Sequence, residues 1–190
     1  RPAVCQGCPL QESAGLTRHC CSVQQGRSTA VMLLADYPAD PQPHGSDPFT
    51  DPAGQMLRRV MAQVTQGGRG VAYGYCVRCR PVDRGRLDRA RPPSPVEASH
   101  CRVNVMKDLA LLKPKQVVLL GLGAAKLLAQ LPDGSAVSAK VQLGDLRGRD
   151  LHCTADDGTK IPVIVTYDPE FIQRNPTVAA TSAAVPRYSN

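Results

Sequence analysis

Residues 73–101, YGYCVRCRPVDRGRLDRARPPSPVEASHC, carry the features that organise this chain. A short apolar strand comes first, a loop rich in Arg and Pro follows, and a helix begins after Ser94. Ser94 with Glu97 three residues later forms the capping-box pattern of a helix start. Cys79 follows the strand and Cys101 lies in the second turn of the predicted helix. The stretch therefore predicts a strand, a basic loop and a helix, with one cysteine on each side of the loop.

A second pair of cysteines lies far upstream, in the sequence CQGCP at residues 5–9. Cys-x-x-Cys followed by Pro is typical of metal or iron–sulfur ligation. Four thiolates would suit a [4Fe-4S] cluster or a zinc ion, and the spacing alone does not separate the two. Cys76 and Cys79 form a competing pair, but side chains three residues apart on a strand point to opposite faces. We therefore predict a metal site formed by Cys5, Cys8, Cys79 and Cys101.

The composition indicates a globular, basic protein. Its 190 residues suit one domain with a full hydrophobic core, and 42% of them are hydrophobic. A net charge of +7 favours an anionic partner, with nucleic acid first. An aromatic content of 4% without Trp argues against a platform that stacks many bases of a single strand.

The first residues show no signal-peptide pattern, and the longest apolar run, residues 117–122, is too short to span a membrane. The chain does not begin with Met, so an N-terminal piece could be missing. We expect a cytoplasmic, nucleoid-associated protein of bacterial or phage type. Its eight cysteines would stay reduced there. No role is predicted for Cys20, Cys21, Cys76 and Cys153.

Apolar segments of strand length alternate with helical patterns along the chain. Strands are predicted at 30–35, 71–77, 116–121 and 161–166. Helices are predicted at 52–66, 94–112, 124–131 and 170–174, with hairpins in 132–160. The order predicts a three-layer αβα domain over residues 1–177, with a central, mostly parallel four-stranded sheet and a tail at 178–190.

Two details of this prediction concern single segments. The helix at 52–66 is expected to bury one face, formed by Met56, Val60, Met61 and Val64. Residues 80–93 are expected to form an irregular loop.

Polar and glycine residues follow the predicted strands where ligands bind in open α/β sheets, beyond the carboxyl ends of the strands. Asp36, Tyr75, Gly121 and Asp168 are expected to meet there in one cleft. The sequence GLG at 121–123 lacks the third glycine of a dinucleotide fingerprint. It favours a helix start that contacts a nucleic-acid phosphate through Gly121 and Gly123. The neighbouring basic loop predicts further phosphate contacts, from Arg80, Arg84 and Arg86.

These motifs, taken in order, resemble the iron–sulfur, family-four branch of the uracil-DNA glycosylases. The family's CxxCPL appears as CQGCPL at 5–10, its GEAPG as ADYPA at 35–39 and its VKCRP as VRCRP at 77–81. The family's later TYHPS appears as TYDPE at 166–170. The resemblance covers about residues 5–176. It implies the fold of that superfamily, a [4Fe-4S] cluster on the four cysteines named above and a DNA partner.

The resemblance also assigns roles within the cleft. Asp36 stands where the family has the Glu that handles water, and Phe49 where the family stacks the base. The family's base-reading Asn is replaced by Tyr75, and its motif His, which supports the departing base, by Asp168. Base contacts are therefore predicted for Tyr37, Phe49 and Tyr75, and catalytic roles for Asp36 and Asp168.

Two functions are compatible with these replacements. In the first, the protein is a glycosylase that excises uracil or a modified pyrimidine by hydrolysing the N-glycosidic bond. In the second, the chemistry is lost and the fold is kept as a module that binds DNA or protein. In either case we expect a monomer that works in a replication or repair assembly.

Overall fold

The computed structural model describes residues 5–13, 29–40, 47–65, 67–83 and 86–177. The predicted tail at 178–190, Cys20, Cys21 and Arg84 lie outside these residues. The helices are α1 (Pro9–Ser13), α2 (Pro52–Val64), α3 (Pro95–Leu112), α4 (Leu122–Leu128), α5 (Leu143–Leu146) and α6 (Pro169–Arg174). The strands are β1 (Val31–Ala35), β2 (Val71–Tyr75), β3 (Val82–Asp83), β4 (Arg86–Ala90), β5 (Gln116–Leu120), β6 (Leu151–Thr154) and β7 (Lys160–Thr166).

A five-stranded sheet in the order β2-β1-β5-β7-β6 forms the centre of the described fold. The first four strands are mutually parallel, and β6 runs antiparallel to β7 at the edge. Ala35 is in register with Tyr75 and Leu120, and Leu120 with Thr166, so the carboxyl ends of the parallel strands are level. The prediction of a three-layer α/β fold with a mostly parallel sheet is confirmed. The fifth strand comes from the segment expected to form hairpins.

The side chains of the parallel strands alternate between two core layers. Met32 and Leu34 face the layer that contains Val105 and Leu109 of α3. Leu33 and Ala35 face the opposite layer, which includes Phe49, Tyr73 and Tyr75 and borders α2. This period-2 alternation places Tyr75 on one side of the sheet and the next residue, Cys76, in the core on the other side.

The face that α2 turns to the sheet differs from the predicted one. Val60 is 49% exposed and Val64 is 68% exposed, so neither belongs to the core. The helix packs instead through Ala53, Leu57 and Met61, spaced four residues apart. Of the predicted face only Met61 contacts the core, because the contact follows the side of the helix that carries Ala53 and Leu57.

Residues 80–93 are not an irregular loop, because β3 and β4 pair there as an antiparallel hairpin. Val82 is buried at 3% exposure, and the N–H of Arg91 donates to the carbonyl of Pro81 at 3.0 Å. The alternating apolar pattern that marks a strand is absent, since Arg and Asp occupy most positions of β4.

The capping box predicted for α3 is present: the N–H of Glu97 donates to Ser94 Oγ, and the N–H of Ser94 donates to Glu97 Oε2 at 2.7 Å. None of the helices in the described part of the chain combines the length and apolar character that crossing a membrane requires.

Candidate functional site

A cleft of about 370 Å³ opens at the carboxyl edge of the parallel strands. Asp36 follows β1, Gly121 follows β5 and Asp168 follows β7, and all three line the cleft together with Gly123 and Tyr37. The level strand ends bring these three together, as the sequence predicted, whereas Tyr75, predicted to join them, lines a smaller neighbouring cavity instead. The cleft is lined by Asp36, Tyr37, Ala39, Gly121, Leu122, Gly123, Leu143, Tyr167, Asp168, Glu170, Phe171 and Arg174.

The Asp36 carboxylate is held at the start of α4. It accepts hydrogen bonds from the backbone N–H groups of Ala124 and Gly123. A Cβ atom at residue 123 would lie 2.5 Å from Asp36 Cγ, so only glycine permits this approach. The second oxygen, Oδ1, is buried and has no hydrogen-bond partner among the described residues. One oxygen is therefore fixed by the helix and the other is available to a ligand or a water molecule.

Burial raises the pKa of Asp36 to about 7, and the nearby charge of Asp168 adds to the effect. Burial likewise raises the pKa of Asp168, against the lowering effect of the N–H groups at the start of α6. Asp168 is the N-cap of that helix, where its Oδ1 accepts from the N–H of Glu170 at 2.8 Å. A carboxyl that titrates near neutral pH can take up or release a proton in the range where general acid–base catalysis is most effective.

Phe49 and Tyr75 form a second, smaller feature beside the cleft. Their rings stack with centroids 4.8 Å apart and planes at 27°, and the Phe49 N–H donates to Tyr75 Oη at 3.3 Å. Both side chains are buried, at 3% and 5% exposure. We call the small cavity that Phe49, Tyr75 and their neighbours line the stacking niche. The volume of this cavity is about 20 Å³. Tyr37 lines both the niche and the cleft.

Phe49 is held in an unusual backbone conformation, with a φ of 59°. A Cβ atom at Gly54 would lie 2.5 Å from Phe49 Cβ, so the first turn of α2 can pack this closely only because residue 54 is glycine. Arg58 donates to the carbonyl of Pro48 at 2.6 Å and lies over the ring of Tyr73 at 4.4 Å. Backbone strain that persists in a buried aromatic residue beside a cleft is a feature of functional sites.

Three of the four predicted metal ligands are buried in one small cluster. Cys8, Cys79 and Cys101 pack with Leu10, Val77 and Ala98, and we call this group the thiol cluster. Cys5 is partly exposed. Burial raises the pKa of Cys101, and Cys8 and Cys5 lie close enough to raise it further.

The competing cysteine, Cys76, packs in a different core cluster, although Cys101 lies close enough to raise its pKa. Within the described residues no three His, Cys, Asp or Glu side chains lie close enough together to hold one metal ion. Four thiols are a donor set whose chemistry suits either a [4Fe-4S] cluster, in which each thiolate binds a separate iron, or a zinc ion.

The predicted phosphate-binding arginines lie in different environments. Arg80 is buried at 4% exposure, and its guanidinium donates to the carbonyls of Ala39 at 2.6 Å and Asp88 at 3.0 Å. It thereby connects the loop after β1 to the β3–β4 hairpin. Arg86 is exposed on β4, whereas Arg84 is not among the described residues.

A further arginine fixes the hairpin to α3, which the sequence did not predict. Arg91 pairs with both carboxylate oxygens of the buried Glu97, at 2.8 and 2.7 Å, and with Asp83 at 2.8 Å. Because Glu97 is one turn before Cys101, this ion pair positions the hairpin beside the thiol cluster. The available signal in the sequence was Glu97 itself, because a carboxylate that caps a helix can also bind a cation.

The sequence also missed the outer wall of the cleft. Tyr167 stacks on Phe171 with centroids 5.1 Å apart, and Arg147 lies over the Tyr167 ring at 4.7 Å. Phe171 and Arg174 belong to α6, which begins directly after Asp168. The available signal in the sequence was the position of Phe171 and Arg174 in the helix that directly follows Asp168.

Comparisons with known proteins agree with this geometry. Residues 24–187 match the model of the uracil DNA glycosylase superfamily. The chain is 25% identical over 174 residues to a type-4 uracil-DNA glycosylase of Pyrobaculum aerophilum, an alignment that covers 92% of this chain and 82% of the relative. It is 26% identical over 176 residues to the protein of the same name from Thermotoga maritima, covering 92% and 81%. A third type-4 uracil-DNA glycosylase, from Archaeoglobus fulgidus, is 23% identical over 146 residues, covering 77% and 68%.

Proposed function

The chain belongs to the uracil-DNA glycosylase superfamily, and from this we propose that it binds DNA and hydrolyses the N-glycosidic bond of a uracil or modified pyrimidine nucleotide. One observation carries the proposal: Asp36, whose Oδ1 is buried without a hydrogen-bond partner among the described residues, lines a cleft of about 370 Å³ at the carboxyl edge of the sheet. A cleft of this volume lies within the range of pockets that bind small ligands. DNA is the substrate because the family acts on bases in DNA.

Asp36 orients the water that attacks the sugar carbon. The two N–H groups at the start of α4 fix one carboxylate oxygen, so the other can accept a hydrogen bond from water in one defined direction. With a pKa of about 7, a large fraction of Asp36 is ionised at neutral pH and can accept the proton that the water loses. A nucleotide must leave the base stack to reach this position, as in other enzymes that act on a base.

Asp168 acts on the departing base from the other side of the cleft. An ionised carboxylate would repel the negative charge that develops on the base, whereas a protonated carboxyl can donate a hydrogen bond to it. Burial raises the pKa of Asp168, but the charge of Asp168 in turn raises the pKa of Asp36, so the free cleft favours an ionised Asp168. A base bound in the cleft adds to the burial of Asp168 and thereby favours the protonated form that this role requires. Tyr37 lies between the cleft and the stacking niche, where it can contact the base.

The thiol cluster holds a [4Fe-4S] cluster on Cys5, Cys8, Cys79 and Cys101, with zinc as the alternative. The support is the packing of Cys8, Cys79 and Cys101 in one cluster, with Cys5 close enough to raise the pKa of Cys101. When bound, the group supplies a covalent cross-link between the N-terminal segment, the start of the hairpin and α3. Tyr37 packs against this cluster, so the cross-link also supports one wall of the cleft.

The DNA surface is formed by exposed basic residues near the cleft, among which Arg86 is the described member of the predicted loop set. The N–H groups of Gly121 and Gly123, predicted to contact a phosphate, are already used, because they donate to the Thr166 carbonyl at 2.9 Å and to the Asp36 carboxylate. A protein with free thiols and a DNA substrate is expected in a reducing, cytoplasmic compartment. It acts there as a monomer within a repair or replication assembly.

The test is incubation with single- and double-stranded oligonucleotides that carry one uracil or one modified pyrimidine, followed by scoring of abasic sites. We expect abasic product from at least one of them and none from Asp36→Asn. Asp157→Asn is the matched control, because Asp157 lies in the exposed turn before β7, at the opposite end of that strand from Asp168. Product from Asp36→Asn at the wild-type rate would rule out the assigned role.

A second function, a glycosylase-like module without catalysis, is favoured by one specific observation. The ring of Tyr75 fills the space next to Phe49, so a base cannot stack there as the family resemblance implies. Tight binding of every oligonucleotide with no abasic product would support this second function.

A further inference from the structure

We infer that Tyr75 determines which base this protein admits, because its ring occupies the place on Phe49 where a base would stack. The inference rests on the proposed function, since it concerns the base that the cleft receives. The Tyr75 ring takes the position, stacked on Phe49, that a bound base would otherwise occupy. Uracil therefore finds no place to stack on Phe49, and the wild type should gain no affinity from a uracil base.

The contact between the two rings is specific. They lie 4.8 Å apart at an angle of 27°, which is the offset-stacked arrangement that a flat base would adopt. The Phe49 N–H donates to Tyr75 Oη at 3.3 Å, so the phenol also takes the donor that points into the niche. Tyr73 closes the far side, edge-on to Phe49 with centroids 6.0 Å apart.

The space that remains is too small for a base. The cavity volume of the stacking niche is about 20 Å³, which is room for roughly one water molecule. The ring cannot easily move aside, because Tyr75 ends β2 in register with Ala35 and is 5% exposed. Phe49 cannot retreat either, since Gly54 already packs against its backbone.

Base-sized volume lies in the adjoining cleft, which measures about 370 Å³ and is lined by Asp36 and Asp168 but by neither Phe49 nor Tyr75. The cleft and the stacking niche share part of their lining, namely Tyr37, Ala39, Asp168 and Glu170. The cleft thus stays open beside a niche that Tyr75 fills.

The experiment measures the affinity of single-stranded oligonucleotides that carry one central 2′-fluoro-2′-deoxyuridine, whose glycosidic bond stays intact. The same oligonucleotide with an abasic analogue is the reference. For the wild type we expect equal affinities within twofold. Tyr75→Asn, which removes the ring, should bind the uracil oligonucleotide at least tenfold more tightly than the reference. Tyr75→Phe keeps the ring and should behave as the wild type.

Two results would overturn the inference: a tenfold preference of the wild type for uracil, or a folded Tyr75→Asn without any gain. If Tyr75→Asn does not fold, Tyr75→Leu replaces it, because leucine keeps an apolar side chain in the niche and still opens part of its volume. If neither the wild type nor any of the Tyr75 variants binds DNA, the proposed function is wrong. Saturation-transfer NMR with free uracil then applies the same comparison, with signal expected for Tyr75→Asn and none for wild type; any other pattern overturns the inference.

Discussion

Gly123 and the Asp36 carboxylate approach each other so closely that a Cβ atom at residue 123 would lie 2.5 Å from Asp36 Cγ. The contact arises because β1 and β5 are adjacent and level, which brings the residue after β1 against the start of α4. Asp36 is thus positioned by backbone N–H groups alone. Its position depends on residue 123 having no side chain.

Gly123→Ala should displace the Asp36 carboxylate and remove its hydrogen bonds to the start of α4. We expect a loss of about 1–3 kcal/mol in the free energy of unfolding, the usual cost of an added methyl in a packed site. Glycosylase activity should fall about a hundredfold, because a shift of about 1 Å in a catalytic group has that effect. Urea denaturation and the abasic-site assay measure the two effects.

Gly144→Ala is the control, since nothing lies within 4 Å of a Cβ atom there and its backbone conformation suits any residue. It should leave activity unchanged and should not lower the free energy of unfolding, because alanine is favoured over glycine within a helix such as α5. Equal behaviour of the two variants would show that Gly123 does not constrain Asp36.

The stability of the protein should decrease as the pH rises from about 4 to about 7. Burial raises the pKa of Asp36 from 3.8 to about 7 in the folded protein. In this window the folded state keeps a proton that the unfolded chain has released, so the free energy of unfolding falls, by at most about 1.4 kcal/mol per pH unit for one group. Asp36→Asn removes this dependence.

We therefore expect the stability of Asp36→Asn relative to wild type to increase between pH 5 and pH 8. Hydrogen bonds from Thr159 lower the pKa of Asp157, so that group is ionised in both states throughout the window and Asp157→Asn should show a flat difference. A flat difference for Asp36→Asn as well, in urea titrations at each pH, would contradict the raised pKa. If Asp36 acts as the base, activity should rise with pH through about 7.

The sequence predicted those parts of the molecule that depend on local pattern. The four parallel strands are continuous apolar runs, and Ser94 with Glu97 marks the start of α3 in the sequence itself. Because level strand ends follow from parallel pairing, the meeting of Asp36 and Asp168 was also predictable. The hairpin at residues 80–93 was not, since its order comes from the burial of Val82 and the contacts of arginine side chains.

The stacking niche shows most clearly what the sequence could not provide. Phe49 and Tyr75 are 26 residues apart, and their stacking depends on a positive φ at Phe49 and on the missing side chain at Gly54. No local pattern encodes such a contact. The burial of Arg80 was unpredictable for a related reason, because arginine is mostly exposed unless backbone carbonyls receive its guanidinium.

Arg86→Gln should weaken DNA binding and reduce its dependence on salt. Arg86 is exposed on β4, and each phosphate contact contributes a slope of about −0.7 to −0.9 to the logarithm of affinity against the logarithm of salt concentration. The slope for the variant should therefore be shallower than that of the wild type by about 0.7 to 0.9, the contribution of one phosphate contact. Lys160→Gln is the control of equal charge change, because Lys160 starts β7 at the end of the strand away from the cleft. Equal slopes for the two variants would place the DNA elsewhere than on the hairpin.

Cys101→Ala should remove the metal centre, whereas Cys76→Ala should retain it. Both cysteines are buried, so the two substitutions remove similar apolar contacts. They differ in their packing, because Cys101 packs with Cys8 and Cys79, whereas Cys76 packs in the core cluster that contains Val105 and Leu109. We expect about four irons and four sulfides per wild-type chain, a brown colour and a loss of most of this iron in Cys101→Ala only. A colourless wild type with one zinc per chain would replace the cluster by the alternative metal. Iron retained in Cys101→Ala, or lost equally from both variants, would show that these four thiols do not form the site.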